Sequence, residues 1–209
     1  MSAAPRPPVT LVDYGVGNTA SVIRAFRRLG ADVDFTADLD RVASARRLVL
    51  PGVAAFQPAM SRLLETGLEA AVRAAVKRGG RLLGLCLGFQ LLFEESEEHG
   101  VHKGLGFVPG RVRPFPARVR TPHVGWNQLL ARRADGFVEG LPEGSWVYFV
   151  HSFRPEGVDA ADVAAACNHG GEFPAIVQRG NVWGCQFHPE KSSENGRLLL
   201  SNFLKDDTA

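Results

Sequence analysis

Three side chains in this sequence have the chemistry of a nucleophilic site: one cysteine, one histidine and one glutamate. Cys86 lies in GLCLGFQ, residues 84–90, with Gly84 and Gly88 two places away on either side. At a sharp strand-to-helix turn the turning residue is forced into an unfavourable backbone region and its side chain stands clear. Small residues two before and two after let the chain pass close to its neighbours. The start of the following helix favours a thiolate over a thiol, and nearby N–H groups can hold an oxyanion. Taken alone the pattern leaves an alternative open, because a free cysteine is most often a small buried apolar residue.

His188 and Glu190 supply what such a cysteine needs. In GCQFHPEKS, residues 184–192, His188 ends an apolar run, where a parallel sheet presents its functional edge. Pro189 fixes the backbone between them. A carboxylate so placed orients the imidazole and stabilises its cation, while the other ring nitrogen takes the thiol proton. Singly, His188 reads as a hydrogen-bonded loop histidine and Glu190 as a solvated carboxylate. With the elbow they read as base and orienter. Cys167 and Cys185 sit in apolar runs without flanking glycines and read as inert. His99 and His102 fall in a polar loop and His169 in a turn. No pair has a metal-ligand spacing, so neither metal nor cofactor is expected.

The elements that must position these groups are legible from periodicity. Residues 9–14 form a short apolar run. A helical pattern follows, with Val22, Ile23, Phe26 and Leu29 on one face, Arg24, Arg27 and Arg28 opposite, and Gly30 to end it. Strands are expected at 32–36, 47–50 and 81–85, two helices within 56–77, and a helix at 87–95. This alternation predicts parallel crossovers. Later β-type runs at 107–115, 125–130, 146–150, 163–167, 175–178 and 182–187 read as antiparallel or mixed additions to the same sheet. A final helix starts near Ser192, which can cap it, and runs to about Lys205. The fold class is therefore α/β: one domain over 9–209, with a mostly parallel central sheet flanked by helices, after a loose tail at 1–8.

The 209 residues are 45% hydrophobic with a net charge of +2, and the charges of both signs are interspersed. That argues against a nucleic-acid partner, and no run approaches the length of a membrane span. Three widely spaced cysteines argue against a disulfide framework and for the cytoplasm.

GLCLGFQ together with FHPEKS resembles the class I glutamine amidotransferases. DYGVGN (13–18), LPGVAAF (50–56), PHVGWN (122–127) and YFVHSF (148–153) are similar to the glutaminase subunits of imidazole glycerol phosphate synthase. The resemblance implies that Cys86 attacks the side-chain amide of L-glutamine, giving a thioester and ammonia, with His188 and Glu190 completing a triad. It implies transfer of the ammonia to a cyclase subunit with a (β/α)8 barrel, in histidine biosynthesis and as a heterodimer. The glutaminase subunit of a different synthase is the alternative. By the same resemblance Gly52 belongs to an oxyanion loop, and Gln90, Glu98, Ser152 and Phe153 line the glutamine pocket. His123, Trp126, Asn127 and Lys191 are expected to face the cyclase. One position departs from the pattern: Ala54 stands where the family usually has a second glycine. Alanine resists positive φ by about 1 kcal/mol. A peptide flip that aims an N–H at an oxyanion is then harder, and turnover without the partner is expected to be slow.

Overall fold

The computed structural model describes residues 7–17 and 19–205. Residues 1–6 of the expected tail, and Asn18 of DYGVGN, lie outside the described residues, and Pro8 already belongs to the first strand. The first half alternates as the periodicity predicts: β1 (Pro8–Val12), α1 (Thr19–Arg28), β2 (Asp32–Thr36), a short α2 (Leu39–Ala43), β3 (Arg47–Leu50), α3 (Phe56–Glu65), α4 (Leu68–Lys77) and β4 (Arg81–Leu85). Then come α5 (Leu87–Gln90), β5 (Phe93–Ser96), β6 (His102–Lys103), β7 (Val108–Pro114) and β8 (His123–Ala131). The chain continues with β9 (Trp146–His151), β10 (Phe153–Glu156), β11 (Val163–Asn168), β12 (Glu172–Arg179), β13 (Val182–Cys185) and α6 (Ser193–Leu204).

Among the described residues, nine strands form one sheet in the order β2-β1-β3-β4-β13-β12-β11-β8-β9. The neighbours from β2 to β13 pair in parallel, and those from β13 to β9 are antiparallel. Two separate cores lie on its two faces. Val49, Leu83 and Leu85 pack with Val22 and Phe26 of α1 and Leu199, Leu200 and Phe203 of α6. Leu48, Leu50 and Leu82 pack with α3, α4 and Phe89. Strands buried on both faces must be apolar throughout, which is why VL and LL runs mark β3 and β4. Each large aliphatic or aromatic side chain so enclosed contributes about 1.5–3 kcal/mol. On α1 the buried stripe is Val22 and Phe26, and Gly30 terminates it with φ of 81°.

Three expectations are corrected. The helix predicted over 87–95 is a single turn, and Phe93–Ser96 is strand. Leu91, Leu92 and Phe93 are all fully buried, and a short apolar run enclosed on all sides has no periodicity to tell helix from strand. The second-half strands also do not all join the central sheet. Strands β10, β7, β5 and β6 form a second, four-stranded sheet. Ser192 precedes α6 as expected but does not cap it. Its hydroxyl donates to the His188 carbonyl at 2.6 Å and accepts from the Tyr148 N–H at 3.0 Å.

The turn between β4 and α5 is built on contact distances. A Cβ at Gly88 would lie 1.8 Å from the Leu50 carbonyl oxygen. One at Gly84 would lie 2.6 Å from the Gly88 oxygen. These are backbone atoms that cannot swing aside. Gly88→Ala is expected to lower stability by about 3 kcal/mol or more, measured as a shift in the urea midpoint, because β3 must move away from α5.

Candidate active site

Cys86 occupies φ 53°, ψ −103°, one of three non-glycine positive-φ positions among the described residues. Strain of that kind persists only where the surroundings over-determine it. Here its N–H donates to the Cys185 carbonyl at 2.9 Å, and the Gln90 N–H returns to the Cys86 carbonyl at 3.2 Å. The thiol is 8% exposed and sits 4.0 Å from the Val150 carbonyl oxygen.

His188 reaches the same place from the end of β13. Strand β9 holds it: the His188 N–H donates to the Tyr148 carbonyl at 3.0 Å, and Ser192 ties the same segment to the Tyr148 N–H. Its Nδ1 lies 2.8 Å from Glu190 Oε1, and both side chains are 4% exposed. Because the carboxylate can only accept, Nδ1 carries the proton and Nε2 is left as the base. Nε2 is buried and makes no hydrogen bond, and Glu190 Oε2 is likewise without a donor. Burial disfavours the imidazolium, but Cys86 and Glu190 outweigh it and lift the His188 pKa above its ordinary value. The site therefore favours the imidazolium form of His188.

Cys86 and His188 line one cavity of about 270 Å³, together with Val53, Ala54, Gln90, Glu98, His151, Ser152 and Phe153. The expected pocket residues Gln90, Glu98, Ser152 and Phe153 are thus brought together. Gly52 stands behind this wall, beside Leu87 and Tyr14, and a Cβ there would meet both at 2.8 Å. Tyr14 donates a short hydrogen bond to the Pro51 carbonyl. Burial first, and then the charge of Cys86, keep its phenol neutral far above the usual range. Glu98 does more than line the cavity. Its Oε2 accepts from the Phe56 N–H at 2.7 Å and so caps α3, whose N-cap residue Ala55 has no side chain able to do so.

The Leu87 N–H, next after the nucleophile position, donates to the Gly52 carbonyl at 3.3 Å. The group best placed to receive an oxyanion is therefore occupied by an acceptor. Ala54 is not among the positive-φ residues, so this loop rests in an ordinary conformation.

The expected partner-facing residues divide. His123 to Asn127 of PHVGWN open β8, paired with β9. His123 is corrected outright. It is 4% exposed, stacked on Phe149 and on His169 with ring centroids 4.6 and 4.1 Å apart, and cannot touch a partner. Asn127 is half-buried, with its amide donating to His123 Nε2 at 3.1 Å and to the Asn168 carbonyl at 3.0 Å. Trp126 and Lys191 are exposed, and Lys191 reaches over the Tyr148 ring. Sequence reasoning missed the rest of that face: Val124, Trp146 and Val150 are exposed beside Trp126.

The likeness carried by these short motifs extends along the whole chain. The family model described as "Glutamine amidotransferase class-I" matches residues 10–206, and the chain belongs to that family. Among curated relatives, "Imidazole glycerol phosphate synthase subunit HisH" of Moorella thermoacetica is 45% identical over 94% of this chain and 93% of its own length. The proteins of that name from Geobacillus kaustophilus and Aquifex aeolicus are 46% and 45% identical, covering 94% and 93% of this chain and 95% of each of theirs. A solved structure titled "Crystal structure of glutamine amidotransferase" superposes with a TM-score of 0.72 at 24% identity, covering 90% of this chain and 94% of that one. At that identity the likeness speaks for the fold alone.

The buried imidazoles give the fold an acid limit. His151 Nδ1 lies 2.8 Å from the Phe153 carbonyl and therefore carries its proton; its Nε2 accepts from His123 Nδ1 at 2.9 Å. Burial, then the neighbouring His169, lowers the His123 pKa to about 4. Burial, only partly opposed by the Phe153 carbonyl and reinforced by His123, His169 and His188, lowers that of His151 to about 3. The unfolded chain, with histidines near 6.5, takes up protons first as pH falls, so folding stability drops from about pH 6.5 downward. Melting temperature is expected to fall over pH 6.5 to 4, and less steeply in His123→Phe, as read by thermal melts across that range.

Proposed function

We propose that this chain hydrolyses L-glutamine to glutamate and ammonia through a thioester on Cys86. It hands the ammonia to a (β/α)8-barrel cyclase that makes imidazole glycerol phosphate and AICAR in the cytoplasm. The observation that carries the reading is the convergence of a strained Cys86, a buried His188–Glu190 pair and the Gln90–Glu98 wall on one cavity. The relatives named for imidazole glycerol phosphate synthase favour that synthase over another.

The chain's own residues divide the work as follows. The Cys86 sulfur attacks the amide carbon. His188 holds the thiol proton at Nε2, and Glu190 stabilises the cation so formed. As the tetrahedral intermediate collapses, His188 returns that proton to the departing nitrogen, and ammonia leaves. Water, deprotonated by His188, then opens the thioester. Gln90 and Glu98 bind the head group of the amino acid, and the backbone at Ser152 and Phe153 closes the cavity wall. Three free cysteines suit a reducing compartment.

The partner reading rests on the outward face of β8 and β9. Val124 faces Val150 and Trp126 faces Tyr148 across the strand pair, with Trp146 beyond. Such a cluster of exposed aromatics at the mouth of a site suits a protein interface. Lys191 borders it.

In a complex with the purified cyclase, Cys86→Ala is expected to lose glutamine-dependent synthesis by about 10³-fold or more and to retain synthesis from added ammonium salts. Loss of both, with the complex intact by gel filtration, would overturn the assignment.

The resting loop explains a second expectation. For the Leu87 N–H to meet an oxyanion, the Gly52 carbonyl must turn away, which a residue tolerant of positive φ makes easier. Ala54→Gly is expected to raise glutamine hydrolysis by the isolated subunit about fivefold, equivalent to about 1 kcal/mol, in a steady-state glutamate assay.

A further inference from the structure

Gln186 is fully buried at the end of β13 and no step above uses it. Its side chain stands between two groups of the site. The Gln90 amide nitrogen donates to the Phe153 carbonyl at 3.1 Å and to Gln186 Oε1 at 3.0 Å, and Gln186 Nε2 points at Cys86 Sγ from 4.0 Å. The polarity of this chain is not free. A main-chain carbonyl only accepts, so Gln90 must turn its NH₂ toward Phe153. Its second hydrogen then goes to Gln186, which must answer with its oxygen. That leaves Gln186 one orientation, with its NH₂ on the sulfur. Flipping either amide would set two acceptors or two donors face to face in a buried place, at the cost of a desolvated, unpaired group. The Gln186 main chain is fixed as well, its N–H donating to the Ala175 carbonyl at 2.9 Å.

We propose that Gln186 is a positioning residue that locks both the Cys86 sulfur and the Gln90 amide in their working orientations. At the sulfur it presents a fixed donor and steadies the attacking atom. At Gln90 it consumes the last amide hydrogen, so that Oε1 is what Gln90 offers to the cavity it lines. The pocket then accepts an N–H from its ligand at this point and rejects one that presents only an oxygen there. The proposal deepens the reading of Cys86 as the glutaminase nucleophile and rests on it.

Two substitutions separate the two tasks. Gln186→Glu keeps an oxygen for Gln90 but has no donor for the sulfur. Gln186→Met removes both. With iodoacetamide as probe on the cyclase complex, alkylation of Cys86 near neutral pH is expected to slow about three- to tenfold in both variants. In glutamine hydrolysis by the complex, Gln186→Glu should lower kcat with KM nearly unchanged, and Gln186→Met should also raise KM several-fold. A purely structural role would lower the melting temperature and leave the alkylation rate of the folded fraction as it was. Wild-type alkylation rates in a folded Gln186→Glu protein overturn the proposal, and that variant carries the test if Gln186→Met does not fold. Should the wild-type complex hydrolyse no glutamine, the glutaminase reading fails, while alkylation still decides the role of Gln186.

Discussion

The Leu50 carbonyl oxygen occupies the space where a methyl group on residue 88 would have to sit. Everything that can act as a nucleophile here depends on that close approach. It lets the chain leave β4, place Cys86 at φ 53° and start α5 against the end of β3 within three residues. The strain is held by its surroundings: the Cys86 N–H stays bonded to the neighbouring strand β13, and Gly84 lets the Gly88 carbonyl lie against it. A larger residue at either place would separate β3 and the Pro51–Gly52 segment that follows it from the turn that carries the sulfur. Catalytic geometry and core packing are in this sense one constraint.

The same economy recurs around the cavity. Loops after β1, β3, β4 and β13 meet at the carboxyl ends of parallel strands, the usual ligand edge of such a sheet. Most of the polar groups that meet there serve two elements at once. Glu98 lines the cavity and caps α3. Ser192 bonds both the His188 carbonyl and the Tyr148 N–H. Tyr14 fixes the Pro51 carbonyl from the far side. A buried polar group without a partner is costly, so satisfying one element with a side chain of another stabilises both and fixes their relative position. The two orphan atoms of the buried His188–Glu190 pair, His188 Nε2 and Glu190 Oε2, stand out against this background. The first is the position a reacting proton would take.

The parallel strands and long helices of the first half, and the residues Cys86 and His188 that line one cavity, were legible because each has a local signature. Both-face-buried strands are apolar throughout, α1 alternates with a 3.6-residue period, and an elbow needs its glycines. What was not legible depends on contacts distant in the chain. Leu91–Phe93 could not reveal a strand because all three are enclosed. Strand β10 carries Arg154, Pro155 and Glu156, and only its pairing with β7 makes it a strand. His123 was misjudged through parity. In the sequence His-Val-Gly-Trp-Asn the polar residues point inward and the apolar ones outward, the reverse of an ordinary half-buried strand. The inward histidine is accommodated because Phe149, Phe173, His151 and His169 surround it and His151 Nε2 accepts a hydrogen bond from its N–H.

That inverted parity is informative in itself. A strand that hides its histidine and shows its valine and tryptophan leaves an exposed apolar face, the feature on which the proposed docking rests. Strand β9, paired beside it, belongs to both worlds. The side chains of Tyr148 and Val150 stand on the outer face, while the backbone of Tyr148 holds His188 and the Val150 carbonyl approaches the Cys86 sulfur. In the proposed complex, a partner seated on β8 and β9 would press on a strand whose main chain is already bonded to the base and adjacent to the nucleophile. Docking and chemistry are then separated by the thickness of one strand. No long relay is needed for one to influence the other, because β9 bonds the His188 N–H through the Tyr148 carbonyl and meets the Cys86 sulfur at the Val150 carbonyl.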